Sequence, residues 1–171
     1  MKKQITNKHI YEILCEIRDL LKPEISGVED KKTISKTDFL SQKNVYMWSD
    51  FKNWIANEAA EIIQPYPKPL KKFILPKNMT DDEIRKNVGS DTFTIDEAMG
   101  IVYRIVREQR NGEDGEFLNN GYVNIFYVKL GDGRVVAVKV SWNADLREWF
   151  LFASDLDAGR WYDGLSVFSR S

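Results

Sequence analysis

The segment Asp155-Leu156-Asp157-Ala158-Gly159-Arg160-Trp161-Tyr162-Asp163-Gly164 holds the densest set of side chains able to do chemistry in this chain. Asp155, Asp157 and Asp163 place three carboxylates in one loop, an oxygen-ligand set that suits a hard cation such as Ca²⁺ or Mg²⁺. The EF-hand spacing is not met, because Gly159 stands at the third ligand position and no closing Glu follows. Asp and Gly also form turns, so an ordinary inter-strand loop is the preferred reading and a metal site the alternative. Arg160, Trp161 and Tyr162 are residue types that concentrate at interaction hot spots, which makes the same loop a candidate partner contact. A metal-dependent, carboxylate-based hydrolase drawing on Asp145, Glu148, Asp155 or Asp163 is the enzymatic alternative, and spacing alone does not support it.

The remaining catalytic inventory is sparse. His9 is the sole histidine, so any His-dependent triad or general base would have to use it, and its place near a helix start reads as a solvated residue. Cys15 is the sole cysteine, which excludes an intramolecular disulfide and a Cys-based zinc site and leaves a small packing residue. Ser166 follows Gly164 by two, but no Gly completes a nucleophile elbow. No Gly-rich phosphate loop is present, and no cofactor is expected.

Lys68, Lys71 and Lys72, with Lys77, form the only basic cluster of note, read as a solvated linker with weak nucleic-acid binding as the alternative. Formal net charge is −1. Residues 80–171 carry 11 Lys/Arg against 16 Asp/Glu, a balance of −5 that argues against phosphate recognition by that part. The run from Gly121 to Tyr127 invites comparison with an RNA-binding sheet, yet Asn120 and Asn124 occupy positions where a basic and an aromatic residue are expected. Nucleic acid is therefore not the expected partner.

The elements that must position these residues begin with Asn7 to Lys22, where Ile10, Ile13, Leu14, Ile17, Leu20 and Leu21 form one helical stripe ended by Pro23. Ile10, Leu14 and Ile17 are candidate partner contacts if that stripe pairs with another chain; packing on its own domain is the plainer reading. Residues 23–43 read as a long polar loop. A second amphipathic helix is predicted from Ser49 or Asp50 to Ile63. Pro65, Pro67 and Pro69 then favour an extended connector to residue 79. Thr80-Asp81-Asp82-Glu83 and Thr94-Ile95-Asp96-Glu97 match the capping box and predict helices reaching Gly89 and Gln109.

Gly121 to Ser171 reads as an antiparallel meander. Strands are predicted at Tyr122–Leu130, Arg134–Trp142, Arg147–Ala153 and Leu165–Arg170. A two-residue Asp132-Gly133 hairpin loop would put Val123, Ile125 and Tyr127 on the core side with Val136, Val138, Val140 and Trp142. A three-residue Gly131-Asp132-Gly133 loop would reverse that parity.

Leu75-Pro76-Lys77-Asn78-Met79-Thr80-Asp81, the run Asn120 to Val128 and Val167-Phe168-Ser169-Arg170 resemble a group of small prokaryotic proteins of uncharacterised activity. The resemblance covers roughly the last 100 residues and implies a recurring C-terminal module behind variable N-terminal segments. It implies no chemistry.

These observations predict an α+β protein with three parts: a helical region over 1–64, a Pro/Lys-rich connector over 65–79 and an α+β module over 80–171. In that module about four antiparallel strands pack on one or two helices. The expected function is non-enzymatic interaction or regulation through a protein partner. No apolar run is long enough to span a bilayer and no signal h-region follows Met1-Lys2-Lys3, so a cytoplasmic, membrane-free protein is expected.

Overall fold

The computed structural model describes residues 33–156 and 159–171. In chain order they form β1 (Ile34–Ser35), α1 (Lys36–Leu40), β2 (Val45–Met47), α2 (Ser49–Phe51) running into a π turn (Lys52–Ala56), β3 (Ile62–Ile63) and β4 (Leu70–Ile74). Then follow α3 (Asp81–Val88), α4 (Ile95–Glu108), β5 (Asn124–Lys129), β6 (Val135–Asn143), β7 (Glu148–Asp155) and β8 (Ser166–Arg170). The expected Asn7–Lys22 helix, with Ile10, Leu14 and Ile17, lies outside the described residues.

The architecture is α+β, but the expected four-stranded antiparallel meander is corrected to a six-stranded mixed sheet of order β2-β7-β6-β5-β8-β4. β5, β6 and β7 do form an antiparallel meander. β8, however, lies parallel to β5, and β2 lies parallel to β7. The chain after β7 crosses to the far side of β5, so β8 pairs where no turn signal directs it. β4 then adds antiparallel to β8, Leu70 opposite Arg170 and Ile74 opposite Ser166. The segment read as a connector over 65–79 thus contributes an edge strand within one compact unit, Lys31–Ser171. Its prolines favour extended backbone, and its lysines sit at an edge, where charge discourages pairing with another chain.

The hairpin between β5 and β6 decides which side chains face which layer. Gly133 N–H donates to the Leu130 carbonyl at 3.0 Å and Leu130 N–H to the Arg134 carbonyl at 2.8 Å, closing a three-residue loop. Gly133 holds φ at 89°, the left-handed value that the last residue of such a loop needs. Phe126 therefore pairs with Val138 and Tyr127 with Ala137. The parity expected from a two-residue loop is corrected: Asn124, Phe126 and Val128 share a face with Val136, Val138 and Val140. β5 is buried at every position from Asn124 to Val128, so its own pattern selects no face and the turn geometry sets the register.

That inner face is covered by α4, the π turn and α1, with Phe126, Val138, Leu151 and Phe168 packed against Phe51, Ile55, Met99 and Ile105. The capping box at Thr94 and Glu97 starts α4, with Glu97 N–H to Thr94 Oγ1 at 3.2 Å and Thr94 N–H to Glu97 Oε2 at 2.8 Å. The predicted Ser49–Ile63 helix instead stops at Ala56, since tertiary partners take the backbone groups that would continue it. Ala60 N–H donates to Asp96 Oδ1 at 2.8 Å and Lys36 Nζ to the Ala59 carbonyl at 2.8 Å. Ile62 and Ile63 then pair with Ser35 and Ile34, so part of the expected 23–43 loop is strand and helix.

On the opposite, outer face, α3 and Leu75, Met79 and Leu165 cover Ile125, Tyr127 and Val167. This cover ends at β6.

Two predictions arise from these contacts. A Cβ on Gly100 of α4 would lie 2.4 Å from the Gln64 carbonyl oxygen and 3.0 Å from the Tyr66 nitrogen, both backbone atoms. Gly100→Ala is expected to cost about 1–3 kcal/mol in urea unfolding, because the helix must back away from that segment. The second concerns Glu97. Burial raises the pKa of its carboxyl, but the Thr94 N–H and the Arg170 guanidinium at 2.5 Å outweigh that and hold it below the ordinary value. A depressed carboxylate stabilises above its unfolded pKa, about 4.3, and that contribution disappears as pH falls through the lower folded value. Thermal unfolding of Glu97→Gln against the parent from pH 7 to pH 2 should show the difference shrinking in that window.

Candidate interaction face

β7 is apolar on both sides: Trp149, Leu151 and Ala153 point into the core, while Phe150 and Phe152 point to the outer face. The parallel register of β2 puts Tyr46 beside Phe150. Tyr46 and Phe150 have ring centroids 5.4 Å apart, and Trp48 stacks on Phe152 at 5.3 Å with 21° between planes. Tyr46 and Trp48 also meet edge to face at 5.7 Å. Four aromatic rings thus form one continuous surface on a sheet face that α3 does not reach. Tyr46 and Trp48 each remain 47% exposed, so the cluster is a surface and not a satellite core.

Lys139 of β6 borders this surface. Its ammonium lies 5.6 Å from the Phe152 ring centre and 5.7 Å from that of Trp161, within cation–π range. Burial lowers its pKa, against the opposing pull of Asp50 and Asp81. No described residue gives it an ion pair or a hydrogen bond. Beneath Trp161 sits a buried polar node. Asp81, 1% exposed at the first turn of α3, accepts from the Tyr127 hydroxyl at 2.8 Å and from the Trp161 indole N–H at 2.7 Å through the same Oδ1.

The loop that carries Trp161 is fastened to the chain before α3. Met79 and Trp161 exchange both backbone hydrogen bonds, at 2.9 and 2.8 Å, and Gly164 N–H donates to the Leu75 carbonyl at 2.9 Å. Trp161 is therefore positioned by two backbone bonds and one indole bond at the rim of the aromatic surface. Arg160 and Tyr162 flank it in solvent, Tyr162 with 70% of its surface exposed.

The other residues singled out in the sequence are placed as follows. Asp155 is exposed at the end of β7 and pairs with Arg134 Nη1 at 3.0 Å. Asp163 is exposed, and its N–H donates to Asn78 Oδ1 at 3.1 Å. Asp157 lies outside the described residues. Among the described residues, no three His, Cys, Asp or Glu side chains gather as a metal set. Lys71 and Lys72 alternate across β4 and so point to opposite faces of the sheet. Lys72 Nζ donates to the Glu116 carbonyl at 3.1 Å, and the Lys68 carbonyl accepts from Arg104 at 3.0 Å. The three lysines do not line one groove.

Reasoning from sequence missed Tyr46, Trp48, Phe150, Phe152 and Lys139 as a group. One signal was present, because an unbroken apolar run such as Trp149 to Ala153 means a strand apolar on both faces. Nothing local tied it to Tyr46 and Trp48, about a hundred residues earlier. Among the described residues no helix is long and apolar enough to cross a membrane. Comparison with family models, curated proteins and solved structures finds no match to this chain, so its functional reading rests on the chemistry of this face.

Proposed function

We propose that the protein is a non-enzymatic interaction protein that binds a protein partner through the outer face of its sheet. The observation that carries this reading is the four-ring surface of Tyr46, Trp48, Phe150 and Phe152, open on a face otherwise covered by α3. Tyr46 and Trp48 keep 47% of their surface exposed despite these ring contacts, and tryptophan and tyrosine anchors dominate binding energy at interfaces. Trp161 and Lys139 extend the surface and join it to the loop of Arg160 and Tyr162. Trp161 thus becomes a rim residue of a larger face.

The test is affinity capture of a partner with the tagged full chain, with and without nuclease, beside the Trp48→Ser/Phe150→Ser double variant. A stoichiometric protein that survives nuclease and is lost with the double variant is the expected result. The double change removes the ring contacts of Trp48 and Phe150, about 0.5–1.5 kcal/mol each, and thermal melting checks that the variant remains folded. Capture of nothing, of nuclease-sensitive material only, or of a protein retained by the variant would remove the reading.

A further inference from the structure

We infer that Asn120 is a spontaneous modification site, at which the chain converts its own asparagine through a cyclic imide into aspartate and isoaspartate. The amide carbon of an Asn side chain and the peptide nitrogen of the next residue end a run of five atoms, so a bond between them closes a five-membered ring. Glycine as that next residue leaves the nitrogen open, since it carries no Cβ to shield it. The described residues hold two such pairs, Asn111-Gly112 and Asn120-Gly121. By sequence the two are alike, and the structure separates them.

At Asn120 the Tyr122 N–H donates to the side-chain oxygen Oδ1 at 3.2 Å. This turn folds the amide back over the Gly121 peptide and polarises the carbonyl that the nitrogen attacks. The same N–H stabilises the oxyanion formed as the nitrogen adds, as aimed backbone donors do in acyl transfer. The Gly121 N–H has no hydrogen-bond partner among the described residues, and Asn120 and Gly121 are both exposed. Nothing lies within 4 Å of where a Gly121 Cβ would sit, so this peptide is free to turn toward the amide. At Asn111 each condition is reversed. The Gly112 N–H donates to the Gln109 carbonyl at 3.0 Å, and the Gly112 carbonyl accepts from Asn119 Nδ2 at 2.8 Å. Asn111 Nδ2, the group that must leave, is held by Glu113 Oε1 at 2.8 Å, and Gly112 lies against the Trp142 indole.

The step balances with water alone. A solvent base takes the Gly121 amide proton, the nitrogen bonds to Asn120 Cγ, and the Cγ–Nδ2 bond breaks, its electron pair and a solvent proton leaving in ammonia. Water then opens the imide. Attack at Cγ restores the main chain and gives Asp; attack at the main-chain carbonyl gives isoaspartate, in which the backbone runs through the side chain and is one atom longer. Either product adds one negative charge. The change falls two residues before Tyr122, whose ring comes within 2.7 Å of where a Gly164 Cβ would sit, at the end of the loop that carries Trp161.

The test is peptide mapping by mass spectrometry of the full chain aged in mildly alkaline buffer, folded and in urea. In urea Asn111 and Asn120 should convert at similar rates, because only the Asn-Gly sequence remains. In the folded chain Asn120 should convert at least about tenfold faster than Asn111, which must first give up its hydrogen bonds. Two products are expected, both with the mass gain of an amide-to-acid exchange and each eluting apart from the parent peptide. Asn120→Gln, whose longer side chain would close a larger ring, should stay one species on anion exchange while the parent splits with age, and thermal melting checks its fold. A folded-state rate at Asn120 no higher than at Asn111, or an unchanged Asn120 over a period in which the urea sample converts, would overturn the inference.

Discussion

Trp149→Ala is expected to lower stability by about 3–5 kcal/mol, the range for deleting a large buried aromatic side chain. Trp149 is fully buried on the inner face of β7, packs against Trp142 with ring centres 5.4 Å apart, and donates its indole N–H to the Gln109 carbonyl at 2.7 Å. That carbonyl belongs to the cap of α4. The Gln109 side chain in turn holds the following loop, accepting from Phe117 N–H at 3.0 Å and donating to the Phe117 and Glu113 carbonyls at 3.1 and 2.8 Å. Loss of the indole therefore leaves a cavity and also releases the end of a helix. A domain of this size loses about 2–4 °C of melting temperature per kcal/mol, so a drop of roughly 10–15 °C is expected. Trp149→Phe separates the two contributions: it keeps most of the ring volume and loses the hydrogen bond, and should cost about 1–3 kcal/mol. Equal losses for both variants would mean that the indole N–H, and not packing, carries the effect.

Asp81→Ala is expected to cost about 2–3 kcal/mol, since it removes an acceptor shared by the buried Tyr127 hydroxyl and the partly buried Trp161 indole N–H, and losing a buried partner costs about 1–3 kcal/mol without full additivity. Asp81→Asn keeps one acceptor oxygen and should cost less, and Tyr127→Phe, which removes one of the two donors together with its need, should cost about 1 kcal/mol. Urea titration measures all three. Because Asp81 also positions the Trp161 ring beside Lys139, Asp81→Ala should weaken partner capture at the outer face while Tyr127→Phe leaves it intact. Capture unchanged in Asp81→Ala would show that Trp161 holds its place through the Met79 backbone bonds alone.

The boundaries set by local chemistry were legible in the sequence. Thr80 and Thr94 start helices because a hydroxyl and a Glu three residues on satisfy amides that no carbonyl reaches, and that needs only four consecutive residues. The strands at β5 to β8 follow from runs of Val, Ile, Phe and Tyr between Gly- and Asp-containing turns. Composition likewise excluded an intramolecular disulfide and a Cys-based zinc site within this sequence.

Other features depended on groups far apart in the chain. The second helix ends at Ala56 because Asp96 and Lys36 take its backbone groups, a competition invisible in the run from Ser49 to Ile63. Hairpin parity turned on a single residue of loop length, because β5, buried on both faces, carries no alternation to select a register. The candidate face is assembled from distant segments: Tyr46 comes from edge strand β2 and Trp48 from the residue just past it, Phe150 and Phe152 from β7, Lys139 from β6, and Trp161 from a loop held by Met79 and Asp81. By itself the sequence determined where α3, α4 and the strands β5 to β8 form and which catalytic chemistries lack their residues, since caps, turns and composition act within a few residues. Only the tertiary structure decided register, strand order and the open aromatic surface, because these follow from burying distant apolar faces against one another.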